Sequence, residues 1–335
     1  MQPLQRNPRE YPRFRQNILH LYSAAETARL FYASGQFELP LSDANKLMLI
    51  RGHCTGFNSV EEIAQKSGIP RQEVACIAEA LADEGLLHGE ESPGSSPTPG
   101  EVREALRKIC SLWGDELRLL YIGNRFAAGD LPKPVLVGWL LEMYHYIRDC
   151  PLAIGYAASL ARGPLKEVLL KYASEESGHE SFVLKALMRL GLSREAVEAS
   201  TPLVSTRLIG YTMRDLAQIA PGSMLLMAAM VEAQEFNPEG IQEFTNALIK
   251  AYDIPADALE PIFEHQKIDV EMGHAQLLDS NLDLIDITDR AVLDKLVDRL
   301  HDLKHAFELQ NTEIAEYYSD CGRLVPRLPV AFQSI

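Results

Sequence analysis

The sequence is short of cysteine and of positive charge. Its 335 residues include only five cysteines, widely spaced and without a C-x-x-C pair, which excludes a disulfide framework and a cysteine-rich zinc site. The 32 Lys and Arg residues are outnumbered by 47 Asp and Glu residues, and the formal net charge is −15. Because a surface this acidic repels phosphate backbones, we expect no nucleic-acid partner.

Long apolar runs and an export signal are lacking as well. The longest apolar run, at about 221–231, is well short of the roughly 20 residues that cross a bilayer. The basic N-terminus is followed by Glu26 and Arg29 rather than by an uninterrupted apolar segment, which is not typical of a secretory signal. We therefore expect a cytoplasmic protein that does not associate with membranes.

What remains has the composition of an ordinary globular protein, with 47% apolar and 24% charged residues. Apolar residues recur at spacings of three and four almost everywhere, which predicts a nearly all-α fold. The segment 90–101, EESPGSSPTPGE, carries no large apolar residue and cannot pack as a helix. We therefore predict a small helical domain at 1–90, a linker at 91–100 and a helical bundle at 101–335.

The N-terminal domain shows helix signals at 16–34, 41–52, 59–68 and 71–87. The last two signals are separated by a short turn, and together they resemble the winged-helix domains of bacterial regulators. A recognition helix needs basic and amide side chains, yet the second helix of this pair carries one cation and four carboxylates: Arg71, Glu73, Glu79, Asp83 and Glu84. Packing, dimer contact or a peptide or protein partner is therefore favoured over DNA binding.

The second domain is predicted to be a bundle of helices. Their expected ranges are 100–127, 133–148, 151–162, 164–190, 206–218, 222–236, 238–252, 259–279 and 288–320. Three of these helices carry residues with the chemistry of metal ligands. Glu176 and His179 lie three residues apart, and His265 and Asp269 lie four apart, so each pair would share one helix face. Glu232 follows about two turns of apolar helix, where a buried carboxylate needs a partner.

Glu175 is a spare candidate beside the first pair. Ligation by imidazole and carboxylate from facing helices suits iron or manganese better than structural zinc. Bridging carboxylates would allow two metal ions.

At these motifs the sequence resembles the haem-oxygenase-like di-metal oxidases and oxygenases, relatives of pyrroloquinoline-quinone synthase and of thiaminase-type proteins. The segment 144–152, the run 175–180, Glu232 and the His265/Asp269 pair carry the resemblance. It implies a haem-oxygenase-like bundle holding two Fe(II) ions that react with O2. The implied substrate is an amino acid, amine or fatty acid in specialised metabolite biosynthesis. The implied metal ligands and catalytic residues are Glu176, His179, Glu232, His265 and Asp269.

The sixth ligand departs from the family pattern. The family usually has a second histidine three residues after the aspartate, where this sequence has Met272. His274 is the substitute, but on a regular helix it would point roughly opposite to His265. Gly273 could permit a π-bulge or a helix end that turns His274 inward. Without that turn, the second metal is weakly held or absent.

Alternatives remain open at this point. Glu142 and His145 form a second E-x-x-H pair, as in ferritin-like di-iron bundles, but the order of the motifs does not match that class. Tyr144, His145, Arg148 and Arg214 are instead predicted to bind the substrate, because an arginine suits a substrate carboxylate. Met272 favours a metal-free ligand-binding or cofactor-handling protein, and the N-terminal domain favours a regulator or adaptor. We expect a homodimer.

Overall fold

The computed structural model describes residues 7–14, 20–23, 26–32, 35–87, 97–232, 237–319 and 324–334. The chain divides into two compact units, Met1–Thr98 and Pro99–Ile335. Most of the predicted linker lies in 88–96, outside the described residues. The first helix of the second unit begins at Pro99, so the last two residues of the predicted linker are helical.

The first unit begins with an antiparallel sheet in the order β1 (His20–Ser23), β2 (Thr27–Tyr32) and β3 (Gly35–Pro40). Leu21 pairs with Leu30, which in turn pairs with Phe37. The helix predicted at 16–34 was therefore wrong. Ala28 and Leu30 are buried while Arg29 between them is exposed, a two-residue period that belongs to a strand and that reading at three- and four-residue spacing missed.

Three helices follow the sheet: α1 (Leu41–Arg51), α2 (Val60–Ser67) and α3 (Arg71–Asp83). Ser59 and Glu62 form a capping box at the start of α2, and Gly68, with φ 73°, ends the helix in the left-handed conformation. The core of this unit includes Phe14, Leu30, Ile50, Ile63 and Val74. The winged-helix assignment stays a prediction.

The second unit is helical. Its helices are α4 (Pro99–Leu119), α5 (Ile122–Ala128), α6 (Lys133–Leu160), α7 (Gly163–Glu176), α8 (Glu180–Arg189), α9 (Arg194–Ala199), α10 (Val204–Ile219), α11 (Ser223–Val231), α12 (Pro238–Tyr252), α13 (Glu260–Met272), α14 (Leu277–Asn281) and α15 (Arg290–Ser319). The long α6 packs against α7, α8, α10 and α15. The helices predicted at 133–148 and 151–162 are one, because α6 continues through Pro151.

Close packing holds α6 against α15. The ring of Tyr318 lies over Gly138, where a Cβ atom would approach it to 2.2 Å. Buried apolar residues of α6, such as Leu136 and Leu140, continue this core. Within the part of the chain that the structure describes, no helix combines the length and apolar character that a membrane crossing requires.

Two helices predicted to be continuous are interrupted. The helix predicted at 164–190 is divided into α7 and α8 at Gly178, where φ is 94°, and the helix predicted at 259–279 ends at Gly273, where φ is 76°. A short 3-10 turn, His274–Gln276, follows Gly273. Glycine adopts positive φ values without the steric cost that other residues meet, so both glycines permit sharp changes of chain direction.

Candidate metal centre

Both interruptions lie at one cluster of buried polar side chains. Glu176 ends α7, His179 immediately precedes α8, and His274 begins the turn after α13. These three residues are 6%, 6% and 2% exposed. Glu232 follows the last residue of α11, so helix ends supply most of the cluster.

The first group of potential ligands contains Glu176, His179 and His265. His179 Nδ1 lies 3.5 Å from Glu176 Oε2 and 2.9 Å from His265 Nε2. His265 lies on α13, which packs against α8. The packing of these two helices therefore brings the two imidazoles together.

The second group contains Glu176, Glu232 and His274. His274 Nδ1 lies 3.1 Å from Glu176 Oε1 and 3.4 Å from Glu232 Oε2. Glu176 is common to both groups, and it faces them with different oxygens, Oε2 toward His179 and Oε1 toward His274. This carboxylate therefore occupies a bridging position between the two groups.

The arrangement fits metal ions. Ligand atoms that bind one ion at about 2.1 Å, at right angles to each other, lie roughly 3 Å apart, close to the separations in both groups. Glu176 Oε1 and Glu232 Oε2 are buried, and within the described residues neither has a hydrogen bond of good geometry, although His274 Nδ1 lies 3.1 and 3.4 Å from them. Burying a carboxylate oxygen without a donor is costly, and a cation between these oxygens would remove that cost.

The electrostatics of the cluster agree with its geometry. Burial raises the pKa of Glu232, and the negative charge of Glu176 adds to that effect. Burial acts the same way on Glu176, but the close imidazoles of His179 and His274 and their positive charge outweigh it and lower the pKa to about 2. Burial and the charge of His179 lower the pKa of His265 to about 4, which leaves the neutral form that binds metals at pH 7.

His274 carries the opposite shift. Burial lowers its pKa, but the close carboxylates of Glu176 and Glu232 and their negative charge outweigh burial and raise the pKa to about 10. The positive charge of a protonated His274 thus balances the negative charge of the two carboxylates. A bound cation would supply the same positive charge.

The structure brings together five of the predicted ligands: Glu176, His179, Glu232, His265 and His274. Asp269 lies on α13 one turn after His265, but its side chain is outside the described residues and its role stays a prediction. The expectation that Glu176 and His179 share the face of one continuous helix was wrong, because α7 ends between them. His274 enters the cluster through the helix end at Gly273, while Met272 is 39% exposed.

Sequence reasoning missed Tyr172. Its hydroxyl donates a hydrogen bond of 2.6 Å to Glu232 Oε1, and its side chain is fully buried. Tyr172 precedes Glu176 by four residues, so helical spacing puts it on the ligand face, but the same spacing is equally compatible with core packing. The spare candidate Glu175 lies beside the cluster, with Oε2 at 3.7 Å from His274 Nε2.

Two residues of α6 also lie near the carboxylates. Burial raises the pKa of Tyr146 and of Cys150 well above their ordinary values, and the charges of Glu232 and Glu176 add to the shifts. Both lie in the segment 144–152 that carried the family resemblance, but neither was predicted as a site residue.

The residues predicted to bind substrate lie elsewhere on α6 and α10. His145, Arg148 and Arg214 line a surface cavity of about 430 Å³, and the Tyr144 ring packs on Arg148 with 5.1 Å between the guanidinium carbon and the ring centroid. Their role in substrate binding stays a prediction. Glu142 is fully buried and accepts hydrogen bonds from Leu203 N and the Tyr318 hydroxyl. Among the described residues, neither Glu142 nor His145 belongs to a group of potential metal ligands.

Comparisons with known proteins concern the same helical unit. Residues 137–298, which include all the ligand candidates, match the model of a family described as iron-containing redox enzyme. No curated protein matches the sequence. A solved structure from Shewanella denitrificans OS217, a domain of unknown function with a haem-oxygenase-like fold, is similar with a TM-score of 0.51 and 18% identity, over 69% of this chain and 100% of that one. This likeness concerns the fold alone. The helical unit therefore contains a segment similar to the family of iron-containing redox enzymes, and it has the haem-oxygenase-like fold that its motifs predicted.

Proposed function

We propose that the helical unit is a non-haem di-iron oxidase or oxygenase that uses O2 to oxidise a small organic substrate. The observation that carries this proposal is the position of Glu176, whose two carboxylate oxygens face different ligand groups. Helical bundles hold pairs of iron ions with carboxylates and histidines that project inward from several helices. The similarity of residues 137–298 to a family of iron-containing redox enzymes supports the same conclusion.

Each ligand group would hold one ion. His179 and His265 would bind the first with Glu176 Oε2, and Glu232 and His274 would bind the second with Glu176 Oε1. When bound, ferrous ions supply the electrons and the open coordination positions that O2 chemistry requires.

The protein's own residues prepare the site in three ways. The Tyr172 hydroxyl holds Glu232 Oε1, which leaves Oε2 directed toward His274. Burial keeps His265 neutral, so its ring nitrogens remain available without the loss of a proton. The apolar residues that precede Glu232 on α11, such as Leu226 and Met227, are fully buried and limit the access of water.

Anaerobic titration of the metal-free full chain with ferrous iron tests the proposal. We expect close to two ions per chain, followed by a change in visible absorption when O2 is admitted. Glu176→Gln should weaken both sites, because both use this carboxylate, whereas His274→Gln should remove only one. His305→Gln is the matched control, since His305 is exposed on α15 and contacts Glu308; it should bind iron as the wild type does.

Two results would contradict a di-iron centre. A single ion per chain in the wild type would indicate a mononuclear enzyme, and no bound iron would favour the metal-free ligand-binding alternative. That alternative drew its support from Met272. Met272 is 39% exposed and His274 lies buried beside Glu176, and this placement supports the di-iron proposal.

A further inference from the structure

The cavity between α6 and α10 has a distinct chemistry. Its walls include three guanidinium groups and one carboxylate, those of Arg148, Arg207, Arg214 and Asp149. Arg214 binds Asp149 through two hydrogen bonds of 3.0 and 2.7 Å, so these two charges compensate each other. Two positive charges remain, in a chain whose formal net charge is −15.

The remaining two arginines bind only neutral groups among the described residues. Arg148 donates to the Tyr144 hydroxyl at 3.4 Å and lies 3.2 Å from His145 Nδ1, while Arg207 donates to Thr201 Oγ1 at 2.7 Å. Guanidinium groups present a planar fork of donors that suits carboxylate and phosphate oxygens. Both arginines therefore retain donors for an anion.

A buried histidine orients Arg148. The Ser200 hydroxyl donates to Val197 O and lies 2.9 Å from His145 Nε2, which therefore carries the proton. Nδ1 is then the acceptor for the Arg148 guanidinium. Burial lowers the pKa of His145 to about 4, and the nearby charges of Arg148 and Arg207 add to this effect. At neutral pH the imidazole thus positions a cation without adding one.

The cavity is separate from the metal centre. At about 100° per residue, His145, Arg148 and Asp149 lie on one side of α6, and Tyr146 and Cys150 lie on another. Tyr146 and Cys150 are the α6 residues on which the charges of Glu176 and Glu232 act. A molecule in the cavity would therefore not contact the metal ligands.

We propose that this cavity is a binding site for a small organic dianion, a dicarboxylate or a phosphate ester, held by Arg148 and Arg207. The two uncompensated guanidinium groups match two negative charges. Leu152 and Tyr211, also on the cavity wall, are 64% and 60% exposed, and they offer apolar contact to the hydrocarbon part of such a ligand. The volume of about 430 Å³ suits a molecule of this size.

Isothermal titration calorimetry of the full chain at pH 7.5, without added iron, tests this site. Succinate and inorganic phosphate are the probes, and acetate is the singly charged comparison. We expect at least one dianion to bind about tenfold more tightly than acetate. Arg148→Gln and Arg207→Gln should each weaken that binding by about tenfold, the loss of one charge-assisted contact. The preferred probe distinguishes a dicarboxylate site from a phosphate site.

Arg125→Gln is the matched control, because Arg125 is exposed on α5 and does not line the cavity. It removes the same net charge and should leave binding unchanged. Circular dichroism confirms that each variant is folded. The proposal is overturned if neither dianion binds more tightly than acetate, or if Arg125→Gln weakens binding as much as the cavity variants do. Iron content does not enter the measurement, so its outcome is independent of the proposed oxidase function.

Discussion

Replacing Tyr172 with phenylalanine removes one hydroxyl from the metal centre and leaves the aromatic ring in place. The hydroxyl donates a 2.6 Å hydrogen bond to Glu232, a partly buried carboxylate whose other oxygen lies 3.4 Å from His274 Nδ1. Hydrogen bonds to charged groups contribute about 1.5–3 kcal/mol, so the metal-free variant should lose about 2 kcal/mol of unfolding free energy. Removing the partner of a metal ligand should also weaken iron binding roughly 10- to 100-fold.

Tyr318→Phe is the control for this experiment. The Tyr318 hydroxyl donates a 2.8 Å hydrogen bond to Glu142, a buried carboxylate that belongs to no ligand group of the described residues. Urea denaturation of the metal-free proteins should show a similar loss of stability in both variants, whereas anaerobic iron titration should show weaker binding only in Tyr172→Phe. Equal iron affinity in the two variants would refute the role assigned to Tyr172.

Two further predictions concern stability. Because burial holds the pKa of His145 at about 4, below its ordinary 6.5, the folded state takes up this proton later than the unfolded chain. Stability should fall by up to about 3 kcal/mol as the pH drops from 7 to 4, and denaturation of His145→Gln at both pH values should show a smaller fall. Gly138→Ala places a Cβ atom 2.2 Å from the Tyr318 ring and should cost about 1–3 kcal/mol in thermal unfolding, whereas Gly155→Ala on the same helix meets nothing within 4 Å and should not destabilise. Equal unfolding temperatures for the two alanine variants would contradict the packing described at Gly138.

The candidate ligands could be chosen from the sequence because their side chains are chemically distinctive and their spacings are short. Glu176 with His179, the isolated Glu232, and His265 are the residues that the structure brings together. Tyr172 could not be chosen with the same reasoning, since a tyrosine at helical spacing is equally compatible with core packing. Its role depends on its hydrogen bond to Glu232, the residue that follows α11. That contact joins two helices that are distant in the sequence.

The strands of the first unit illustrate a different limit. The sequence of β2, Thr27–Tyr32, combines β-branched and aromatic residues with an alternation only a few residues long. So short a pattern also matches one and a half turns of helix. Pairing with β1 and β3 decides the conformation, and no local feature of the sequence records that pairing.

The two glycines at the metal centre explain why helical periodicity found the ligands but not their arrangement. A Cβ atom at Gly178 would meet nothing within 4 Å, and one at Gly273 would approach only the Gln276 side chain, at 3.4 Å. Steric crowding by neighbouring atoms therefore does not require glycine at either position. The positive φ values favour glycine there instead. On a regular helix His274 would lie opposite His265, nine residues earlier, and the left-handed turn at Gly273 removes that restriction. The candidate centre is thus assembled mainly from helix ends, with His265 on the face of α13, and one carboxylate, Glu176, faces both sets of candidate ligands.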